Sequence, residues 1–572
     1  MKQILFYVLI VSMFILTDCK KEYEMPSVTA PGSITNVEVT KTADLTFSFN
    51  AEGGYKSSTI VATGGNAVIK TNATPGSTAG NLIVTFTAGA TPGAGSVTLS
   101  VMDNQSQAQS ATAVLTIYEE GAPNVTVPSI TAVTVTRSVD LTFQYNSEGG
   151  YKSSTLATTG GTAVIKSDGT AGSNSGNIVI TFTAARLVGA GSVNITITDN
   201  NNKTGNGVAV LNIEAFPTTS VTANISANTT WETGKIYILE GRIAVLSGVT
   251  LTIQPGVIIK GREGSGSNAT ALMVARGGKL IAEGTSAAPI IFTSVVDQIV
   301  PGEIASPNID PTVDGLWGGL IILGKAPISA DANAMQIEGI PASDANGLYG
   351  GNDPADNSGI IKYVSIRHGG ANIGEGNEIN GLTLGGVGSG TIIENVEIIA
   401  NQDDGIEWFG GTVNVKNAIV WNAGDDAIDT DQSWGGTLDN FVVINPGDEC
   451  FELDGPEGTM VAKHYIKNGS ARADNAQGLV DLDPNSNVDM ENIYFFNLKM
   501  GQDFDELPTV YTCSFQNFEV TLPAGTEVAD FFKGGSAQFT RAVAAGARTV
   551  GADITVFQGW SWASVSGSLT GF

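Results

Sequence analysis

Three rows near the middle of the chain constrain its fold more than anything else in it. Asn401-Gln-Asp-Asp-Gly-Ile-Glu407 is followed by Asn422-Ala-Gly-Asp-Asp-Ala-Ile-Asp429, and then by Asn445-Pro-Gly-Asp-Glu-Cys-Phe-Glu452. The rows recur every 21 to 23 residues. A unit this short cannot bury its own apolar residues, so it must stack on copies of itself, as the coils of a solenoid do. Short apolar runs with Gly-rich corners surround the rows, among them Leu272-Met-Val274, Tyr363-Val-Ser-Ile366, Asn395-Val-Glu-Ile398 and Asn440-Phe-Val-Val443. Each period therefore reads as one turn of a parallel β-helix. Asn401, Asn422, Asn445, Asn468, Asn497 and Asn517 read as turn residues of successive coils. Asn tolerates the left-handed conformation, and its amide can bond to the Asn one coil away.

Strand alternation then sorts the rows. With Ile406, Ile428 and Phe451 pointing inward, Asp403, Asp425 and Asp448 form one outward column, and Glu407, Asp429 and Glu452 a second. Asp431 and Asp454 begin a third, and Asp481 and Asp483 extend the last two. Asp404, Asp426 and Glu449 fall on the inward phase and are expected at a corner. Between Asp403 and Asp454 there are twelve acidic residues and one basic residue, Lys416. Such a face has three uses. It can be a solvated surface. It can hold Ca²⁺, which takes several carboxylate oxygens, on Asp403, Glu407, Asp425, Asp429, Asp448 and Glu452. It can also supply the two carboxylates, roughly 5–9.5 Å apart, of a glycoside hydrolase. Asp425 and Asp429 are the catalytic candidates, with Arg367 as the conceivable base of a lyase. The solvated or cation-binding readings weigh more than catalysis. Two longer stretches, Gly302 to Asp314 and Ala326 to Ser358, are rich in Pro, Asp, Asn and Gly and are expected as loops projecting from one face.

The first part of the chain is duplicated. Asp44-Leu-Thr-Phe-Ser-Phe-Asn50 returns as Asp140-Leu-Thr-Phe-Gln-Tyr-Asn146, and Glu52 to Thr59 returns unchanged as Glu148 to Thr155, both at an offset of 96 residues. About seven short alternating strands per copy fit an immunoglobulin-like sandwich. The repeated Gly-Gly-Tyr-Lys-Ser-Ser reads as a turn whose Tyr55 or Tyr151 packs back on its sandwich. The fold class is thus all-β: two Ig-like β-sandwiches (32–120 and 128–216, linker 121–127), then a right-handed parallel β-helix (217–520) and its C-terminal cap (521–572). In that cap Trp560 and Trp562 are expected as core.

At the N-terminus Lys2 precedes an apolar run from Ile4 to Leu16, then Thr17-Asp-Cys-Lys-Lys21. The run is too short to span a bilayer as a helix. It resembles a bacterial lipoprotein signal peptide (1–18), with lipidation at Cys19 and an anchor linker (19–31). That implies an outer-membrane protein on the cell surface. The net charge of −28 argues against nucleic acid as a partner, since such binding needs a cationic surface. Cys450 and Cys513 fall on different coils and are expected as free thiols.

Asn377 to Gly390, Asp403-Asp-Gly-Ile-Glu-Trp-Phe-Gly-Gly411, Gly424-Asp-Asp-Ala-Ile-Asp429 and Trp434-Gly-Gly436 resemble the pectin-lyase-like right-handed β-helix family of bacterial surface lipoproteins. The resemblance implies fold and location and transfers no catalytic residue. Gly424-Asp-Asp426 invites comparison with polygalacturonases, yet their Gly-His-Gly and Arg-Ile-Lys motifs are absent. The expectation is a surface lipoprotein that binds a glycan or an envelope or matrix component, with Ca²⁺ on the acidic columns. A polysaccharide lyase or glycoside hydrolase on the same face, and a purely structural protein, are the alternatives.

Overall fold

The structure is a computed structural model that describes residues 23–32, 35–118, 121–264, 266–374 and 377–572. Cys19 and the segment read as a signal peptide lie outside them. Two compact units, Met1–Ala215 and Phe216–Phe572, make up the chain.

In the first unit the strict alternation of Leu45, Phe47 and Phe49 with polar residues buries one side of a strand and solvates the other. The first sandwich comprises β1 (Ser27–Thr29), β2 (Thr35–Glu38), β3 (Thr42–Asn50), β4 (Tyr55–Thr63), β5 (Gly65–Thr71), β6 (Ala79–Ala88), β7 (Gly93–Asp103) and β8 (Ala108–Tyr118). Its sheets run β1-β3-β6-β5 and β2-β8-β7-β4. The edge is shared: β1 pairs antiparallel with β3 in one sheet, and β2 pairs parallel with β8 in the other. This is the Ig-like plan, with one strand more than the expected seven. The second copy repeats it from Asn124–Thr126 to Thr204–Glu214. The stretches read as linkers, 19–31 and 121–127, thus each contain a three-residue edge strand, too short to show alternation in the sequence. Tyr55 and Tyr151 are buried, and their hydroxyls donate to Ser58 Oγ at 2.8 Å and Ser154 Oγ at 3.0 Å. The Gly-Gly-Tyr turn is therefore a folding element.

The second unit is a parallel β-helix with three faces. An eight-stranded parallel sheet from Ile243–Val245 to Asp481–Leu482 forms the first face. The sixteen-stranded sheet carries the other two, because its long strands bend in the middle at a left-handed Asn. Asn395, Asn417, Asn440, Asn468 and Asn492 have φ of 56–61° at these bends. Their amides link the coils: Asn417 donates to Asn395 at 3.0 Å, Asn440 to Asn417 at 2.8 Å, Asn492 to Asn468 at 3.0 Å and Asn517 to Asn492 at 3.2 Å. This corrects the predicted series. Asn468 and Asn517 belong to the mid-strand bend, whereas Asn422, Asn445 and Asn497 turn at the next corner, and Asn401 bonds to Ile379 O and Asp404 O instead. A period of about 22 residues marks the coil and not the corner. Ile406, Ile428 and Phe451 are fully buried in the core, as the alternation requires.

The C-terminal stretch divides into two parts. Phe531, Phe532 and Phe539 plug the end of the core, and Thr540–Ala542 adds one more parallel strand beside Phe518–Val520. Residues 552–572 instead fold back over the outside of the third face. There Trp560 and Trp562 cover Ile399, Ile419, Val442 and Ile444. The outer side of that face is apolar, so a lid over the open end alone would leave it in water. The two long loops also part company. Ile304 and Ala305 join this C-terminal cluster, whereas Ile328, Ile337, Ile340 and Tyr349 pack on Met273, Ile321 and Phe409 of the first face. Cys450 is buried, Cys513 half-buried, and both are free. Among the described residues no helix is long and apolar enough to cross a membrane.

Candidate cation-binding face

The outward residues of the first face form one column through successive coils. In register it reads Met273, Ile321, Thr383, Glu407, Asp429, Glu452, Asp481. The column changes from apolar to acidic half-way along. The next face offers a contrast. There the outward column reads Lys362, Glu394, Lys416, Asp439, Lys467, Glu491, alternating in sign. Lys362 and Glu394 pair at 3.1 Å, and Lys467 lies 4.0 Å from Asp439. Opposite charges on adjacent strands stabilise a sheet and like charges oppose it. The one basic residue of the acidic stretch, Lys416, thus stands on another face, and among the described residues the column of the first face contains no basic side chain.

The middle of this column is not a solvated surface. Glu407 and Asp429 are 5% and 8% exposed, because the 326–358 segment lies over the upper coils. Burial, followed by the neighbouring acids, holds the Glu407, Asp429 and Asp404 carboxyls well above the usual carboxylate range. The same causes raise Asp403 and Asp431 to about 8 and Asp454 to about 7.

The turn acids divide into two kinds. Asp404 and Asp426 are buried, and each accepts a backbone N–H of the following coil: Asp426 N at 3.0 Å and Glu449 N at 2.6 Å. They tie coil to coil, which is why the inward phase tolerates them. Asp425 is exposed, and Asp403, Asp448 and Glu452 are half-buried. Carboxylate oxygens of Asp403, Asp404 and Asp425 lie within 4.8 Å of one another, and so do those of Asp404, Glu407 and Asp429. Of the six predicted ligands the structure therefore brings Asp403 with Asp425, and Glu407 with Asp429, each pair joined by Asp404. Glu452 continues the Glu407–Asp429 column. An all-oxygen donor set of this kind suits a hard cation.

Arg367 is elsewhere. It lies on the third face, in register with Ile399 and fully buried, with its guanidinium 4.9 Å from the Trp562 ring centroid and 3.8 Å from Glu397. It is not available to substrate at the acidic face. Sequence reasoning missed Glu338 and Asn380. Asn380 Nδ2 donates to Glu338 at 3.3 Å and also to Glu407. Glu338 is one of several acids in a loop, and only its apolar flanks Ile337 and Ile340 signal that this part of the loop docks.

The family model of the pectate-lyase-like beta helix domain matches residues 223–553. The chain belongs to this family. The match covers the pectate-lyase-like β-helix from its first coils into the C-terminal part, including every acid described above. No curated protein matches the chain. Among solved structures, the D0-D1 domain of intimin is 14% identical over 32% of this chain and 97% of its own, with a TM-score of 0.22. The tandem Ig repeats of Dlar are 14% identical over 33% and 98%, with a TM-score of 0.14. A mutant of the SrpA adhesin from Streptococcus sanguinis is 16% identical over 18% and 68%, with a TM-score of 0.15.

Proposed function

We propose that the protein is a cell-surface, lipid-anchored binding protein whose pectate-lyase-like β-helix engages an extracellular glycan or envelope component through a Ca²⁺-loaded acidic face. One observation carries this reading: the uncompensated column Glu407–Asp429–Glu452–Asp481 beside a face whose column alternates in sign. Partly buried carboxylates at the inter-strand spacing repel one another by a few kcal/mol, and a divalent cation removes that penalty. The open group at Asp403, Asp404 and Asp425 is where a bound cation would meet ligand. A glycan is the favoured ligand class because the domain family is named for a carbohydrate-active fold. The two Ig-like modules act as spacers from the membrane, with Cys19 as the lipid attachment. Arg367, the conceivable base of a lyase on this face, is buried on another face, which favours binding over that alternative. The test is binding of the intact chain to a polysaccharide panel in Ca²⁺ and in chelator. Binding that is lost in chelator and in Asp425→Asn supports the reading, and binding indifferent to both overturns it.

A further inference from the structure

The 326–358 segment is fastened to the solenoid by more than its apolar residues. Its ends are tied by Ala326 N to Gly386 O at 2.8 Å and Gly350 N to Gly324 O at 3.0 Å. Ile337 and Ile340, 1% and 4% exposed, dock its hairpin against Ile379 and Ile321. The Tyr349 hydroxyl donates to Gln432 at 2.9 Å. With Ile337 and Ile340 seated, Glu338 is carried to the acids of the first face whether or not its charge is welcome there. Glu338 and Glu407 share one donor, the NH₂ of Asn380.

One side chain at this point lacks what burial requires. Asn380 is fully buried in the acidic cluster, yet its Oδ1 accepts no hydrogen bond among the described residues. Asp429 beside it is 8% exposed, with carboxylate oxygens of Asp404, Glu407 and Asp429 within 4.8 Å of one another. A buried polar group without a partner costs about 1–3 kcal/mol, and more if charged. The Asn380 amide faces the carboxylates with its NH₂, as it must when only anions surround it. The two ends of an amide have the same shape. Turned over, it would present its oxygen to a cation held by the same acids.

We propose that Glu338, Asn380, Asp404, Glu407 and Asp429 form an enclosed Ca²⁺ site, completed by the 326–358 segment, and that the cation clamps this segment to the solenoid. The proposal rests on the reading of the acidic face as a cation site, but concerns a position centred on Glu407 and Asp429, which shares only Asp404 with the open group at Asp403 and Asp425. All its donors are oxygens, which excludes a soft metal. Its enclosure favours Ca²⁺ over Mg²⁺, which keeps several of its waters. The segment is thus a lid held down by the ion.

Hydrogen exchange of the full chain tests this, in chelator and in about 5 mM Ca²⁺, above the range where extracellular calcium modules load. Amides of residues 335–349 are expected to exchange about tenfold more slowly with Ca²⁺, a stabilisation of about 1.4 kcal/mol. Glu338→Gln keeps the side-chain volume. It is expected to abolish that protection and to weaken one Ca²⁺ site by about tenfold in calorimetric titration, whereas Asp425→Asn leaves the protection intact. Exchange at 335–349 that ignores Ca²⁺ while the melting temperature still responds would overturn the lid site and spare the open one. No calcium response anywhere would overturn both.

Discussion

Replacing Asp429 by Asn removes one charge from the middle of the acidic column and leaves its shape unchanged. Asp429 stands between Glu407 and Glu452 on adjacent strands. At the inter-strand spacing of about 4.8 Å and an effective dielectric of about 20, each ionised pair costs about 3 kcal/mol, less where protons already neutralise a carboxyl. In chelator the variant should therefore melt no lower than the original chain, against the usual cost of changing a buried residue. Calcium should reverse the order. Saturation at about 100 times the dissociation constant stabilises the original chain by about 2.7 kcal/mol. The β-helix unit Phe216–Phe572 has about 357 residues. At about 2.1 cal/mol/K per residue its unfolding entropy makes that about 4 °C in melting temperature. Differential scanning calorimetry near pH 8.5, with Ca²⁺ or with chelator, reads both effects. Equal calcium responses in the two proteins, or none in either, refute the argument.

Three further outcomes follow from other parts of the molecule. Burial lowers the His464 pKa to about 3, below the unfolded value near 6.5, so its contribution is complete above pH 6.5 and is lost as pH falls toward 3. Urea unfolding should show about 2 kcal/mol of this between pH 6.5 and 5, as the difference in slope between the original chain and His464→Gln. Glu397 accepts the N–H groups of Trp562 at 3.1 Å and Ala563 at 2.9 Å and lies beside buried Arg367. Glu397→Ala strands that cation, should cost about 3–5 kcal/mol, and should expose residues 552–572 to limited proteolysis. A Cβ at Gly469 would lie 2.0 Å from the Phe441 ring. Gly469→Ala should then lower stability by about 1–3 kcal/mol in the same unfolding assay, and an unchanged midpoint would show that the coil relaxes freely.

The architecture was readable because it is periodic. A 22-residue repeat and a 96-residue duplication are patterns along the chain, and alternation alone set Ile406, Ile428 and Phe451 inward and Glu407, Asp429 and Glu452 into one column. Where the signal is short or the partner distant, the reading failed. Three-residue edge strands passed for linkers, and asparagines of two corners merged into one ladder because both recur at the coil period.

What surrounds the acidic column was decided only in three dimensions. Local sequence assigns a residue to the outer side of a strand, but whether that side meets water depends on a loop far away in the chain. Ile337 and Ile340 seat the 326–358 segment on the first face and bring Glu338 to Asn380 and Glu407, and the column expected as a solvated or cation-binding face is partly buried. Residues 552–572 likewise enclose Arg367 and remove it from the candidate site. The repeat itself determined which acids share a column. Long-range apolar docking determined their dielectric surroundings, and with that the strength of their demand for a cation.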